Sequence, residues 1–286
     1  MDYIERQPVP QLAPYIRSVW HARANSTEYT RERTLPSGCV EVILALAWDF
    51  LMDCPEGGPD RQSSPELVVG ARSVYEIVDT ADMACLVGIH FRPGGFSAFV
   101  GERADLFSNR SVPLAGLWGR SAEGLRDALR EIRSMNGRLD YLERFLLGRL
   151  AGLRAPHPLV GFALERFSRH GSIAAVREVA RSAGWSERRF SQVFREGVGF
   201  SPKTWCRIQR FQRAVKLLHA GKELPLAQLA LDCGFYDQAH FANEFRAFSG
   251  IDATRYAGLR TQFSNHTDAV SARTRAKELP ILPRAL

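Results

Sequence analysis

The chain reads as a two-domain α+β protein. A β-rich, sandwich or barrel-like domain with added helices comes first, followed by an all-α domain of two helix-turn-helix units joined by a long helix. Three observations carry this. Short β-branched and aliphatic runs separated by turn clusters fill the first hundred residues. From Ser121 the apolar period becomes helical, and between residues 172 and 256 a glycine-hinged helix pair occurs twice. The length of 286 residues suits two domains at roughly 100–200 residues each.

Val40-Glu41-Val42-Ile43-Leu44-Ala45-Leu46, Leu67-Val68-Val69, Tyr75-Glu76-Ile77-Val78 and Met83 to Phe91 are expected strands. Glu56-Gly57-Gly58-Pro59-Asp60 and Arg92-Pro93-Gly94-Gly95 are expected turns. Leu125, Leu129 and Ile132 share one helical face, and Leu139, Leu142, Phe145, Leu146 and Leu150 another, with Gly137 in the break. The second stripe serves either core packing or a dimer seam. Ala155-Pro156-His157-Pro158 interrupts regular structure. The expected division is therefore a β-rich domain over 1–155, a helical domain over 157–262 and a loose, polar tail over 263–286 that ends in Pro280 and Pro283.

In the helical half, Ala180-x-x-x-Gly184-Trp185 recurs fifty residues later as Ala230-x-x-x-Gly234-Phe235. Phe194-Arg195, Gly199 and Trp205 match Phe245-Arg246, Gly250 and Tyr256 at an offset of fifty-one, so the second copy has one extra residue just after its glycine turn. Ser172 and Ser186 are expected helix caps in the first copy, and Gly184 supplies a left-handed turn. Val176, Val179 and Ala180 face inward on its first helix, and Phe190, Val193 and Phe194 on its second. In the second copy Pro225 suits a first turn, Gly234 makes the hinge and Asp237 opens a helix that buries Phe241, Phe245 and Phe248. Between the copies, Lys203 to Leu218 holds no Gly or Pro and reads as one long helix.

The net charge of +7 is localised. Residues 1–156 carry 18 Arg/Lys against 20 Asp/Glu, whereas residues 157–262 carry 16 against 9. A basic helical module joined to a neutral one suits binding of a polyanion. Two reading helices held about one DNA turn apart, roughly 34 Å, would enter successive major grooves on one side of a duplex. Removing the buried stripes leaves Arg188, Ser191, Gln192 and Arg195 outward on the first helix, and Gln238, Ala239, Ala242 and Asn243 on the second. Arg bonds guanine edges and Gln or Asn adenine edges, while the exposed alanines suit thymine methyl groups. Arg195, Lys203 and Arg246 suit phosphates.

Gly184-Trp185-Ser186 through Phe194-Arg195, Gly199-Phe200-Ser201-Pro202-x-x-Trp205, and Gly234-Phe235-Tyr236-Asp237-Gln238-Ala239-His240-Phe241 through Phe245-Arg246 resemble the AraC/XylS family of bacterial transcription regulators over about a hundred residues. The resemblance implies seven helices, promoter DNA as partner and activation through contact with RNA polymerase. It places base readout on Arg188, Ser191, Gln192, Gln238, His240 and Asn243; His240 rests on the resemblance and is otherwise a packing residue at a helix start. Ala253 departs from the family's proline, leaving the start of the last helix less well defined. Val87-Gly88-Ile89-His90-Phe91-Arg92-Pro93-Gly94-Gly95-Phe96 resembles, less specifically, a β-rich domain fused to such regulators, implying a small-molecule effector or a homodimer.

Other classes fit less well. Some DNA-repair methyltransferases carry the same module, but Cys39, Cys54 and Cys85 lack the clustering of a zinc site. With five dispersed cysteines, a disulfide framework is not expected either. His21 and His90 with Glu41 match no metal-ligand spacing, and Arg92 to Gly95 reads as a turn rather than a phosphate loop. No membrane span, secretory signal, catalytic motif, metal or cofactor is expected. The resulting expectation is a non-enzymatic regulator in the bacterial cytoplasm, on the nucleoid. Its rival is a ligand-binding protein with a vestigial DNA module.

Overall fold

The computed structural model describes residues 1–24, 30–150, 156–170, 174–221 and 225–269. The strands are β1 (Asp2–Arg6), β2 (Ile16–Arg23), β3 (Arg31–Thr34), β4 (Glu41–Ala45), β5 (Leu51–Asp53), β6 (Arg61–Ser63), β7 (Glu66–Val69), β8 (Glu76–Asp79), β9 (Leu86–Phe91), β10 (Ser111–Pro113) and β11 (His266–Asp268). They form one sheet in the order β1-β2-β9-β4-β7-β10 and another in the order β11-β3-β8-β5-β6. The pairings are antiparallel, and no barrel closes. Strand β2 is covered on both faces: Val19 and His21 are buried on one and Trp20 and Ala22 on the other. Its sequence therefore lacks the alternation of a half-exposed strand.

Helices α1 (Phe96–Val100), α2 (Ala115–Trp118), α3 (Arg120–Glu131) and α4 (Met135–Arg149) complete this half. Several local expectations are corrected. Met83 and Ala84 lie in a 3-10 turn over Thr80–Ala84, because the Asp79 carboxylate accepts from the Ala81 amide at 2.8 Å and turns the chain. Ile132 is extended, past the end of α3, and Gly137 lies inside α4, whose cap is Ser134. Leu139, Leu142 and Leu146 are fully buried in the main core with Val19, Val87 and Ile89. The stripe on α4 thus packs on the sheet. Buried Arg138 ties the layers together: it donates to the carbonyls of Leu129 (3.0 Å) and Ile132 (2.8 Å) at the end of α3 and lies 2.8 Å from His21 Nε2. Burial and that guanidinium lower the His21 imidazole to about 4. His21 faces the helices, whereas His90 and Glu41 face the opposite sheet, so the three do not come together.

The helical half comprises α5 (Pro158–His170), α6 (Ala174–Ser182), α7 (Glu187–Val198), α8 (Pro202–His219), α9 (Leu226–Asp232), α10 (Gln238–Ser249) and α11 (Ala253–Gly258). The expected cap Ser172 and the residues before Pro156 at the expected boundary lie outside the described residues. Leu159, Val160, Phe167, Val179, Phe190, Val193 and Phe194 build the core of the first unit. In the second unit Phe211, Phe241, Phe245, Phe248 and Tyr256 belong to a cluster continuous with the β-rich core. The loose tail expected after residue 262 is corrected where it is described. Strand β11 pairs with β3, and His266 Nδ1 lies 2.6 Å from Glu32, a polar contact that anchors the strand. Residues 270–286 lie outside the described residues.

Candidate nucleic-acid interface

Each unit is built by local rules. In the first, α6 ends at a turn where Gly184 has φ +69°, and Ser186 caps α7 by accepting from the Arg189 amide at 3.3 Å. In the second, Gly234 has φ +83° and the Asp237 carboxylate accepts from the His240 amide at 2.7 Å. The extra residue of the second copy is Tyr236. Trp185 is followed directly by its cap Ser186, whereas Tyr236 stands between Phe235 and the cap Asp237. Tyr236 is 86% exposed, beside the first turn of α10. The change of offset between the copies, from fifty to fifty-one, already places an extra residue just after the glycine turn.

Helix α8 carries both units. Ser201 caps it, accepting from the Thr204 amide at 3.2 Å, and Trp205, Ile208, Phe211 and Val215 are buried along it. Arg207 of α8 donates to both carboxylate oxygens of Glu244 of α10, at 2.5–3.0 Å, and lies 5.3 Å from the Phe248 ring. That bidentate pair fixes the roll of α10.

The structure places Arg188 and Gln192 exposed on α7, with Ser191 half-buried beside them. Gln192 accepts from Arg189 at 3.3 Å and donates to Glu196 at 2.9 Å. Arg195 is also exposed and lies 3.3 Å from Asp105, on a 3-10 turn (Ala104–Phe107) of the β-rich half. On α10, Gln238, Ala239, Ala242, Asn243 and Arg246 are exposed. His240 is half-buried: its Nδ1 accepts from the Tyr236 amide at 3.2 Å, and its ring meets Phe235 at 5.6 Å. It closes its own turn. Lys203 is exposed in the first turn of α8, close in sequence to the end of α7.

This helical region matches a family described as "Helix-turn-helix domain" over residues 179–258, and residues 4–113 match "Domain of unknown function (DUF6597)". The arabinose operon regulatory protein of Salmonella typhimurium is 30% identical over 125 residues, covering 41% of this chain and 44% of that one. Over its helical region the chain is similar to AraC-type transcription regulators. The "Probable transcriptional regulator LumQ" of Photobacterium leiognathi is 32% identical over 82 residues, covering 29% of this chain and 33% of that one. The chain spans less than half the length of these relatives. ToxT of Vibrio cholerae aligns over 91% of this chain and 98% of its own with 10% identity and a TM-score of 0.39.

Ala253, where the family pattern has proline, leaves the start of the last helix less well defined in sequence. Asp252 corrects this, accepting from the Arg255 amide at 2.7 Å to cap α11. Cys39 is half-buried, and Cys54 and Cys85 are buried. Among the described residues no group of three or more His, Cys, Asp or Glu is arranged to hold a metal, and no helix is long and apolar enough to cross a membrane.

Proposed function

We propose that the protein is a sequence-specific DNA-binding transcription regulator that activates promoters by reading two successive major grooves. The observation that carries this is the repeated unit. Two capped helices, α7 and α10, each behind a positive-φ glycine, present polar outer faces from one connecting helix. In this reading Arg188, Ser191, Gln192, Gln238 and Asn243 address base edges, and Arg195, Lys203 and Arg246 address phosphates. His240 is retained from the family pattern, with its turn-closing contacts limiting its reach. The working division is a sensor or dimerisation unit over 1–155 and a DNA-binding unit over 157–262. RNA polymerase, a second copy of the chain and a small-molecule effector complete the proposed partners, in the bacterial cytoplasm on the nucleoid. The family's members are transcriptional regulators, and the role proposed here is non-enzymatic.

The test is selection of preferred sites from random duplex DNA by the full chain, followed by affinity measurements on the selected sequence. Convergence on an asymmetric site supports the reading. Recovery without any preference would favour a ligand-binding protein whose DNA module no longer works.

A further inference from the structure

Between the two sheets lies a cavity of about 930 Å³. Strand register dictates its floor. Glu5 of β1 pairs with Trp20 of β2, and Trp20 pairs with Gly88 of β9. The indole lies across this glycine, since a Cβ at Gly88 would stand 2.3 Å from the ring. The next rung carries Ser18, His90 and Glu41. Tyr3 meets Phe263 at 4.9 Å and Trp20 at 6.4 Å, which lengthens the aromatic wall, while Ile43 and Leu67 make the remaining floor apolar.

The polar end of this floor is acidic. His90 stands 3.4 Å from Glu5 on one side and 3.4 Å from Glu41 on the other. The Ser18 hydroxyl donates to Glu5 at 2.5 Å and the Tyr3 hydroxyl at 3.0 Å. With His90 the largest influence, these contacts hold the Glu5 carboxyl at about 2 against its burial. Even with a charged imidazole, two carboxylates and one His90 leave a net negative charge. Arg17, Arg72, Arg92 and Lys216 also line the cavity; half-buried Arg72 is neutralised by Glu76 at 2.5 Å, the other three are solvent-exposed, and Arg92 Nε donates to the Ala13 carbonyl at 2.7 Å.

We propose that the cavity binds an organic cation: an amine or quaternary ammonium on an aryl or alkyl body. The charged head sits beside Glu5 and Glu41, and the body lies along Trp20, Ile43 and Leu67. Aromatic faces and carboxylates both attract a partly dehydrated ammonium, and the same wall repels an anion. This proposal rests on reading the β-rich half as a small-molecule site. Trp205 and Gln212 of α8 line the same cavity, so an occupant touches the helix that joins the two units.

Isothermal titration of the full chain with phenethylamine and with 3-phenylpropionate, bodies of similar size and opposite charge, tests it. Phenethylamine is expected to bind at least tenfold more tightly than 3-phenylpropionate. Glu41→Gln should remove that preference, and Glu41→Asp, which keeps the charge, should preserve it. Tighter binding of 3-phenylpropionate that is lost in Arg17→Gln would overturn the charge assignment while leaving the small-molecule reading intact. An absence of binding by either probe at millimolar concentration would overturn both. Equal loss of preference in the Gln and Asp variants would also contradict the assignment, since charge would not be what Glu41 supplies.

Discussion

Arg195, proposed here to address a phosphate, is restrained by the rest of the chain. Its guanidinium stands 3.3 Å from an Asp105 carboxylate that is already bidentate to Arg103 at 3.0 and 2.7 Å. A phosphate must compete with that carboxylate. Asp105→Asn is therefore expected to raise DNA affinity a few-fold and to steepen its salt dependence by up to about 0.9 in log–log slope, the change for one added phosphate contact. Fluorescence anisotropy titrations at several salt concentrations measure both, and an unaltered slope and affinity would show that Asp105 exerts no restraint. Arg188 stands exposed on α7 with no carboxylate partner among the described contacts. Arg188→Ala should cost about 1–3 kcal/mol on the selected site and much less on a scrambled duplex, as loss of one base contact does. Arg188 and Gln192 were legible in sequence because helical period alone sets their exposure. Ser191 is half-buried and His240 is bound to its own turn, details that depend on neighbouring turns and packing.

At the scale of elements, helices with explicit start and stop chemistry were the legible ones. Ser186, Ser201 and Asp237 are caps in the structure, and Gly184, Gly199, Gly234 and Gly250 have the positive φ of a turn or C-cap. The strands that escaped reading are those without an apolar run. Strands β3 (Arg-Glu-Arg-Thr), β6 (Arg-Gln-Ser) and β11 (His-Thr-Asp) owe their place to pairing partners far away in sequence. Strand β11 carries a pH dependence. Burial is the largest single influence on His266 and lowers its basicity, but the hydrogen bond to Glu32 and the charges of Glu32 and Glu41 together outweigh it, and the imidazole ends above its ordinary value of 6.5. Because the folded value is raised, the fold favours the protonated form. The stabilisation is complete below the ordinary value and is lost as pH rises through the folded one. The stability advantage of the native chain over Glu32→Gln should be about 1 kcal/mol or less at pH 5.5 and shrink toward pH 8.5 in thermal melts, given a partly exposed pair. An advantage that stays constant or grows with pH would contradict this role.

Across the whole molecule the two halves interlock. A Cβ on Gly250 would stand 2.4 Å from the Tyr75 ring, the Tyr75 amide donates to the Phe248 carbonyl at 3.0 Å, and Gln212 of α8 donates to the Pro36 carbonyl at 2.8 Å. Ser108 donates to the Gly199 carbonyl at 2.6 Å, just beyond the end of α7. None of these contacts has a local sequence signal. A turn glycine, a tyrosine and a serine each have ordinary local explanations, and only the tertiary arrangement joins them. The sequence did reveal the repeated unit and the basic half, because both are patterns of residue type along one chain. Two-groove reading requires that α7 and α10 grip neighbouring grooves from one side. Hydroxyl-radical footprinting of the full chain on its selected duplex measures this directly. The expected result is two protected patches on one face, about one helical turn apart, with Arg188→Ala weakening one and the Gln238→Ala, Asn243→Ala double variant weakening the other. A single patch, or protection around the whole circumference, would contradict the account.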